Sequence, residues 1–404
     1  MKKYKPATKE ELKKLVFTDD IKLDCVDTSL ITDMSNLFHE SKRKDFEGIE
    51  DWDVSNVEDM SYMFAYMDYN FILDLSRIDF NPNLNNWNVS KVKKMSNMFA
   101  YCSNFNQSLD KWDTSNVEDM SFMFLGAKEF NQPLNDWNVS NVKDMRGMFK
   151  LAESFNQPLD KWDTSSAEDM SCMFNLAKNF NQPLNNWNIS KVEDLSNMFS
   201  YCTIFNQPLN DWDVSNVKNM ECLFDSCENF NQPLDKWDVS NVENMFRMFD
   251  DCKKFNQPLN SWNVSNVTNI ACMFMLAESF NQPLDKWNTK KVISIAFLFK
   301  YAEKFDNYES LEHWNLDKLK DITLICDDEN KLHTRLKVYM QVFYPKEDYI
   351  TITKDNVKEI YNLISKDKNR RISKLRKKLE SDFSEELSSV TKNSYLKTIK
   401  NNEK

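Results

Sequence analysis

The stretch FNQPLDKWDVSNVENM, residues 230–245, recurs almost unchanged along most of this 404-residue chain. Its tryptophan returns every 25 residues from Trp87 to Trp287, without a missed step. A repeat of this length is typical of a solenoid, in which each repeat buries its apolar residues by stacking on its neighbours. We therefore expect the tryptophans to form one buried ladder: Trp87, Trp112, Trp137, Trp162, Trp187, Trp212, Trp237, Trp262 and Trp287.

The first half of the repeat predicts a short β-strand. Leu234, Trp237 and Val239 have the spacing L-x-x-W-x-V, which matches the strand of a leucine-rich repeat, L-x-x-L-x-L. Trp237 and Val239 share one face of such a strand, because side chains alternate along it.

The second half of the repeat predicts a short α-helix. Its apolar residues follow the spacing i, i+3, i+4 and i+7 of one helical stripe: Met245, Met248, Phe249 and Cys252. Ser240 and Glu243 form an S-x-x-E capping box ahead of that stripe. The chain has only 3 glycines, so the asparagine of the FNQP segment is expected to take the left-handed conformation in the turns, and the stacked amides can also pair from coil to coil.

These elements predict an α/β repeat solenoid, leucine-rich-repeat-like, with one short strand and one short helix in each 25-residue coil. About eleven coils occupy residues 21–328. Residues 1–20 are expected to hold an N-terminal capping helix, because Thr8 and Glu11 form a further capping box before Leu12. Residues 329–404 are predicted to be a helical, basic C-terminal region, so that helices cap both ends.

The repeat W-D-V-S-N-V-x-x-M-x-x-M-F, followed by F-N-Q-P-L, resembles the BspA-like repeat family, which is also grouped as a mycoplasma domain of unknown function. The resemblance covers residues 21–326. It implies a leucine-rich-repeat-like solenoid, and some members are bacterial surface proteins implicated in adhesion to host proteins or to other cells. This chain departs from the surface members because it shows no signal peptide and no lipoprotein cysteine.

The sequence offers no catalytic constellation. Its 3 histidines lie in different regions, and it contains no H-E-x-x-H motif, no Ser/His/Asp arrangement and no phosphate-binding loop. Most cysteines fall in two repeat columns, which is typical of small buried sites rather than of zinc ligands. One column holds Cys102, Cys202, Cys227 and Cys252, and the other holds Cys172, Cys222 and Cys272. We expect no enzymatic activity, no metal and no cofactor.

A column of tyrosines and leucines at the end of the predicted helix is the candidate partner-binding stripe, since tyrosine is enriched in protein interfaces. An insertion near residues 66–80 adds aromatic residues that the repeat does not require. Ser226 and Asp251 interrupt the column. The candidate partner-binding residues are Tyr66, Tyr69, Phe71, Tyr101, Leu151, Leu176, Tyr201, Leu276 and Tyr301. In the alternative interpretation, these side chains pack between neighbouring helices.

The C-terminal region carries a basic segment on a chain whose net charge is -11. Its candidate contact residues are Lys366, Lys368, Arg370, Arg371, Lys374, Arg376, Lys377 and Lys378. Such charge asymmetry indicates contact with nucleic acid, acidic lipid or an acidic partner. In the alternative interpretation, the segment is a solvated helical tail that folds back on the acidic solenoid.

The sequence therefore predicts a monomeric, non-catalytic scaffold or adhesin that binds an unknown protein partner, host or bacterial. The alternative is an intracellular binding module whose basic tail contacts nucleic acid or acidic membrane. No apolar run is long enough to predict a membrane span. The lack of a signal peptide favours the cytoplasm, whereas the family resemblance favours the cell surface or the extracellular space.

Overall fold

The structure is a computed structural model that describes residues 3–39, 41, 43–65, 80–328, 331–345, 349–388 and 390. The chain winds into a tandem-repeat solenoid. Parallel β-bridges join each coil to the next, from the Asp33–Asp59 bridge to the Ser294–Asp321 bridge. Each bridge is isolated, so the described coils contain no extended β-strand.

The coil is a succession of tight turns. In the coil that holds Trp112, backbone N–H groups donate to the carbonyl three residues earlier, with N···O distances between 3.0 and 3.2 Å. The turns are 109–112, 114–117, 120–123, 122–125, 124–127 and 127–130. Their end residues face inward and are almost all buried, which builds the core from turn corners.

Both secondary-structure predictions for the coil are wrong. The structure has turns instead of a strand over 234–239 and instead of a helix over 245–252. Turns that close over three residues place the same i, i+3, i+4 and i+7 positions inward, so they imitate the helical period. Arg247 and Asp251 have φ angles of 55° and 54°, which a right-handed helix does not allow. Ser240 does not cap a helix, because its N–H donates to Asp238 Oδ1 at 3.0 Å.

Two left-handed positions, four residues apart, recur in the coils from Asn97 to Tyr301, and the first of them also occurs in the coils of Asn36, Tyr62 and Leu324. Column A has φ angles of 42–58° and consists of Asn36, Tyr62, Asn97, Phe122, Gly147, Cys172, Asn197, Cys222, Arg247, Cys272, Phe297 and Leu324. Column B has φ angles of 54–67° and consists of Tyr101, Gly126, Leu151, Leu176, Tyr201, Ser226, Asp251, Leu276 and Tyr301.

The hydrogen bonds between coils explain these left-handed positions. Asn97 N donates to Ser121 O at 2.8 Å, and Tyr101 N donates to Leu125 O at 2.6 Å. The donor is the third residue of its turn, and the acceptor is the second residue of the stacked turn in the next coil. The central peptides of stacked turns therefore form hydrogen bonds with one another. These bonds require each central peptide to point along the stacking direction, as it does in a type II turn. A type II turn requires positive φ at its third residue.

Aromatic columns fill the core. Phe124 stacks on Phe149 of the next coil at a centroid distance of 5.7 Å, and Phe130 stacks on Phe155 at 6.1 Å. Each tryptophan is buried and donates its indole N–H to a carbonyl in the preceding coil, as Trp187 Nε1 does to Leu159 O at 2.9 Å. Buried aromatic rings contribute the largest apolar areas of any side chains, so these columns dominate the stability of the solenoid.

The asparagines of the FNQP segment form a structural ladder. Asn131 Oδ1 accepts from the backbone N–H of Asn156 at 3.0 Å and from Gln157 Nε2 at 3.1 Å. The same pair of bonds recurs in the following coils. The predicted left-handed conformation at these asparagines is wrong, since none of them has positive φ. Their side chains act between coils instead.

Helix α1, Lys9–Val16, lies over the first coil. The Thr8 side chain accepts from Glu11 N at 3.2 Å, as the predicted capping box requires. Lys9 Nζ donates to Asp33 Oδ2 at 2.7 Å, and Lys13 Nζ donates to Asn36 O at 3.0 Å. These bonds supply partners to the outer edge of the coil stack, as a capping element must.

Three helices pack together on the last coil: α2, Thr334–Phe343, α3, Val357–Ile364, and α4, Arg370–Asp382. Arg335 of α2 donates to Trp314 O at 2.8 Å, and Asn369 at the start of α4 donates to Leu319 O at 2.9 Å. The remaining short elements include single 3-10 turns at Leu23–Cys25, Ile49–Asp51 and Tyr308–Leu311, and a further helical stretch begins at residue 384. None of the helices in the described part of the chain has the length and apolar composition needed to span a bilayer.

The tryptophan ladder gives the first testable prediction. Trp187→Phe should lower the free energy of unfolding by about 1–2 kcal/mol, because a buried hydrogen bond to Leu159 O is lost and a small void forms. Urea unfolding followed by circular dichroism measures the change. The exposed control Lys191→Gln should change it by less than about 0.5 kcal/mol. Equal effects of the two substitutions would contradict a structural role for the indole N–H.

Candidate partner-binding surface

Column B is the predicted partner stripe as the structure presents it. Tyr101, Leu151, Leu176 and Leu276 are half-buried there, while Tyr201 and Tyr301 are 42% and 53% exposed. Tyr66, Tyr69 and Phe71 lie outside the described residues. The stripe does not lie on a helix, but the alternative of packing between neighbouring repeats applies to Tyr101 and Leu151, which pack against a small apolar cluster of neighbouring coils.

A bulky side chain is unfavourable at these positions. The left-handed conformation costs an L-residue other than glycine about 1–2 kcal/mol, and asparagine tolerates it better than most residues do. Column A uses asparagine in several coils, whereas column B uses none in the described residues. Six column B positions hold tyrosine or leucine instead, so the backbone conformation did not select these side chains.

The stripe side chains run along the stacking direction. A Cβ atom added at Gly126 would lie 2.7 Å from the ring of Tyr101, in the preceding coil. A Cβ atom added at Gly147 would lie 2.3 Å from the ring of Phe122. Each ring therefore lies over the backbone of the next coil, and glycine occurs where the ring approaches closest. A small apolar cluster forms beside these rings around Ala65, Ala100 and Leu125.

The stripe is interrupted in the middle by a polar segment, which we call the acidic break: Asp225, Ser226, Glu228, Asp250, Asp251 and Glu278. Asp225 and Asp250 are buried and occupy equivalent positions in adjacent coils. Arg247 Nε donates to Asp250 Oδ2 at 2.7 Å, and Arg247 Nη2 lies 3.5 Å from Asp225 Oδ2. This arrangement was not predicted from the sequence, although aspartate follows the L-F or M-F pair only in these two adjacent coils and the other coils that carry this pair have no acidic residue there.

The buried and half-buried aspartates of the acidic break have raised pKa values. Burial and the nearby Asp225 carboxylate raise the pKa of Asp250 to about 7, against the opposing effect of Arg247. Burial also raises the pKa of Asp225 and of Asp251. Asp250 Oδ1 is buried and has no hydrogen-bond partner among the described residues. The single guanidinium of Arg247 therefore does not satisfy both buried carboxylates.

The polar flanks of the tryptophans form ion pairs from coil to coil. Lys161 Nζ lies 2.8 Å from Asp136 Oδ1, and Lys236 Nζ lies 2.7 Å from Asp211 Oδ1. All four side chains are exposed, so each pair contributes little to stability. These flanks are a satisfied polar surface.

The basic segment divides into two kinds of residue. Arg376 is partly buried and donates to Ser365 O, so it holds the helical cap together. Arg370, Lys374, Lys377 and Lys378 share one face of α4 through their i, i+4, i+7 and i+8 spacing, and all are exposed. None of these four forms an ion pair with another described residue. Lys366, Lys368 and Arg371 are also exposed, and the Arg371 guanidinium lies 4.3 Å from the Phe343 ring centroid.

Burial also shifts the pKa of cysteine and histidine side chains outside column B. Cys202 is buried and donates its thiol to Phe174 O at 3.0 Å, and burial raises its pKa well above the usual range. Cys172, Cys222 and Cys272 are column A residues, and all cysteines are free thiols. Burial lowers the pKa of His333 to about 4. Within the described residues, no group of three histidine, cysteine or acidic side chains is placed to hold a metal ion.

The strain in column B gives the second testable prediction. Leu176→Val should lower the free energy of unfolding by about 1–2 kcal/mol, because a β-branched residue is least compatible with positive φ. Leu176→Asn should change it by less than about 0.5 kcal/mol, since the easier backbone offsets the lost apolar contact. Urea unfolding of both variants measures the difference. Asn179→Val, at a nearby exposed position without positive φ, is the control and should have little effect. A Val variant as stable as the Asn variant would contradict the left-handed assignment.

One family of proteins matches most of the chain by sequence. The model of the family described as "Mycoplasma protein of unknown function, DUF285" matches residues 10–79, 67–184, 153–253 and 223–339. No curated protein matches the chain by sequence. Among solved structures, a crystal structure of a TLR13–ssRNA13 complex aligns with 78% of this chain at 12% identity and a TM-score of 0.23. The chain spans 45% of that protein's length, and such a low score does not identify a common fold.

The family matches overlap and together run from residue 10 to residue 339. The predicted resemblance to the mycoplasma-type repeat family is thereby confirmed. This chain belongs to the family of mycoplasma proteins of unknown function, DUF285.

Proposed function

We propose that this protein is a non-catalytic protein-binding scaffold whose contact surface is column B. One observation carries the proposal: bulky apolar side chains occupy left-handed positions that disfavour them, and two of them, Tyr201 and Tyr301, remain largely exposed. A side chain retained against the preference of its backbone indicates a role outside backbone geometry. Tyrosine is also among the residues that most often dominate the energy of protein interfaces.

The structural alternative for column B is that its rings shield the hydrogen bonds between coils. Tyr101 over Gly126 fits that role. The shielding role explains Tyr201 less well, because its neighbouring column B residue is the small Ser226 and because Tyr201 is 42% exposed. Ile204, only three residues away, is 40% exposed and extends the same apolar surface. An exposed, linear apolar stripe on a solenoid suits a binding surface.

A photocrosslinking experiment tests this proposal and provides the third prediction. Benzoylphenylalanine placed at Tyr201 or Tyr301 in the full chain should crosslink a protein partner in the native cell. The same residue placed at Lys111, which is exposed beside the tryptophan ladder, should not. Fractionation and protease treatment of intact cells would then show whether the captured partner meets the solenoid outside or inside the cell, which separates an adhesin from an intracellular scaffold.

The captured partner allows a matched affinity test. Tyr201→Asn combined with Tyr301→Asn should weaken its binding at least about tenfold while leaving stability intact, because asparagine suits positive φ. Cys172→Asn combined with Cys272→Asn also places asparagine at two left-handed positions, but in column A, and should leave binding unchanged. Equal crosslinking from Lys111, or unchanged affinity in the column B variant, would contradict the proposal.

A second candidate function rests on α4. Four exposed cations on one helical face, without acidic partners among the described residues, present a phosphate-binding surface of the kind that nucleic acids recognise. The apolar face of α4 packs into the helical cap through Ile372 and Leu379, which leaves no apolar surface for insertion into a membrane. The candidate is therefore sequence-independent binding of nucleic acid.

Charge neutralisation on α4 gives the fourth prediction. Replacing Arg370, Lys374, Lys377 and Lys378 by Gln should weaken binding to a fluorescent double-stranded DNA at low salt at least about tenfold and flatten its salt dependence. The control removes four exposed lysines elsewhere: Lys111, Lys191, Lys286 and Lys290. Equal losses in both variants would show a non-specific charge effect. Binding to anionic vesicles but not to DNA would overturn the nucleic-acid candidate.

A further inference from the structure

We propose that the acidic break makes column B selective for a partner segment that carries a lysine or arginine between apolar residues. The inference deepens the proposed function and rests on it. Apolar patches flank the break on both sides: Leu151, Leu176, Tyr201 and Ile204 on one side, Leu276 and Tyr301 on the other. Along the stacking direction, the surface is therefore apolar, then acidic, then apolar again.

The acidic break has an excess of negative charge. Its carboxylates are those of Asp225, Glu228, Asp250, Asp251 and Glu278, and its neighbouring cations are Arg247 and Lys253. Lys253 Nζ lies 2.9 Å from Glu228 Oε1 and 3.8 Å from Asp251 Oδ1, so it is shared as Arg247 is. Because the pKa of Asp250 is about 7, this residue carries only part of a negative charge at neutral pH. The other four carboxylates still outnumber the two cations, and a cationic group from a partner would reduce the repulsion among them.

A buried atom independently indicates a missing partner. Asp250 is fully buried, yet its Oδ1 has no hydrogen-bond donor among the described residues. Such a group carries a desolvation penalty that a donor would remove. The neighbouring Asp251 is only partly buried and belongs to column B, so the acidic break extends from the buried Asp250 to the surface where a partner would lie.

The spacing of the patches sets the length of the occupant. Stacked rings across the break are 5.8, 5.7 and 5.8 Å apart, from Phe199 through Phe224 and Phe249 to Phe274. Tyr201 and Leu276 are therefore about 17 Å apart along the stack, a distance that about five residues of extended chain cover. The expected motif has two apolar anchors about five residues apart, with a lysine or arginine between them.

A metal site and a purely structural cluster are the two alternatives for the acidic break. A metal ion would need a group of ligands that the described residues do not provide. A purely structural role for Arg247 with Asp225 and Asp250 would make the surface carboxylates of Asp251, Glu228 and Glu278 irrelevant to binding. The test therefore alters these three surface carboxylates and leaves the buried pair and Arg247 in place.

A phage-displayed library of random 12-residue peptides, selected on the full chain, is the probe and provides the fifth prediction. Selected peptides should be enriched in lysine or arginine between apolar residues. The triple variant Asp251→Asn, Glu228→Gln and Glu278→Gln should select apolar peptides without that basic residue. The best wild-type peptide should lose at least about tenfold in affinity for this variant. A control variant with the same charge change, Glu58→Gln, Glu118→Gln and Glu193→Gln, should bind it normally.

A substitution in the peptide, combined with the triple variant of the protein, completes a double-mutant cycle. Replacing its basic residue by glutamine should weaken binding to the wild-type chain but hardly change binding to the triple variant. If the selected peptides lack a basic residue and lose affinity for the Tyr201→Asn, Tyr301→Asn variant, this inference fails and the proposed function stands. If basic peptides bind that variant unchanged, they bind elsewhere and both fail. A library that yields no binder contradicts both.

Discussion

The hydrogen bond between the central peptides of stacked turns is the constraint on which the solenoid depends. Every coil must present its N–H groups on one side and its carbonyls on the other, so that Tyr101 N meets Leu125 O and the pattern repeats. That orientation requires positive φ, which occurs twice in each coil from Asn97 to Tyr301. The tryptophan, phenylalanine and asparagine columns add burial and further bonds, but their register follows from this backbone ladder.

The sequence predicted the architecture better than the local structure. The 25-residue period identified the stacking, and the Trp and Asn ladders followed because each coil must match its neighbour. The helix at 245–252 was wrong because turns of three residues bury the same positions as a helix does. Positive φ was assigned to the asparagines, where propensity favours it, while the structure has it at Leu176 and Tyr201. Contacts between coils override local propensity there, and a single sequence does not show those contacts.

The candidate site was predicted in part. The stripe residues Tyr101, Leu151, Leu176, Tyr201, Leu276 and Tyr301 do fall in one column, as the repeat register required. The interruption of the column at Ser226 and Asp251 was visible in the sequence. The left-handed conformation of the column and the buried Asp225 and Asp250 emerged only from the structure, because burial depends on which way each turn faces. The column then combines two properties: a backbone fixed by the ladder, and side chains that vary from coil to coil. A solenoid of this kind holds surface residues at regular intervals while leaving their identity free.

Infrared spectroscopy of the amide I band tests the central claim most directly, since the many tryptophan and phenylalanine rings do not dominate that band. Helices α1 to α4 have 8, 10, 8 and 13 residues, and residues 384–388 and 390 are also helical, so the described helical residues are about one tenth of the 404-residue chain. Coils built from turns therefore predict a helix content near one tenth. A helix content near one third would mean that every coil carries a helix, and it would contradict the turn-based ladder.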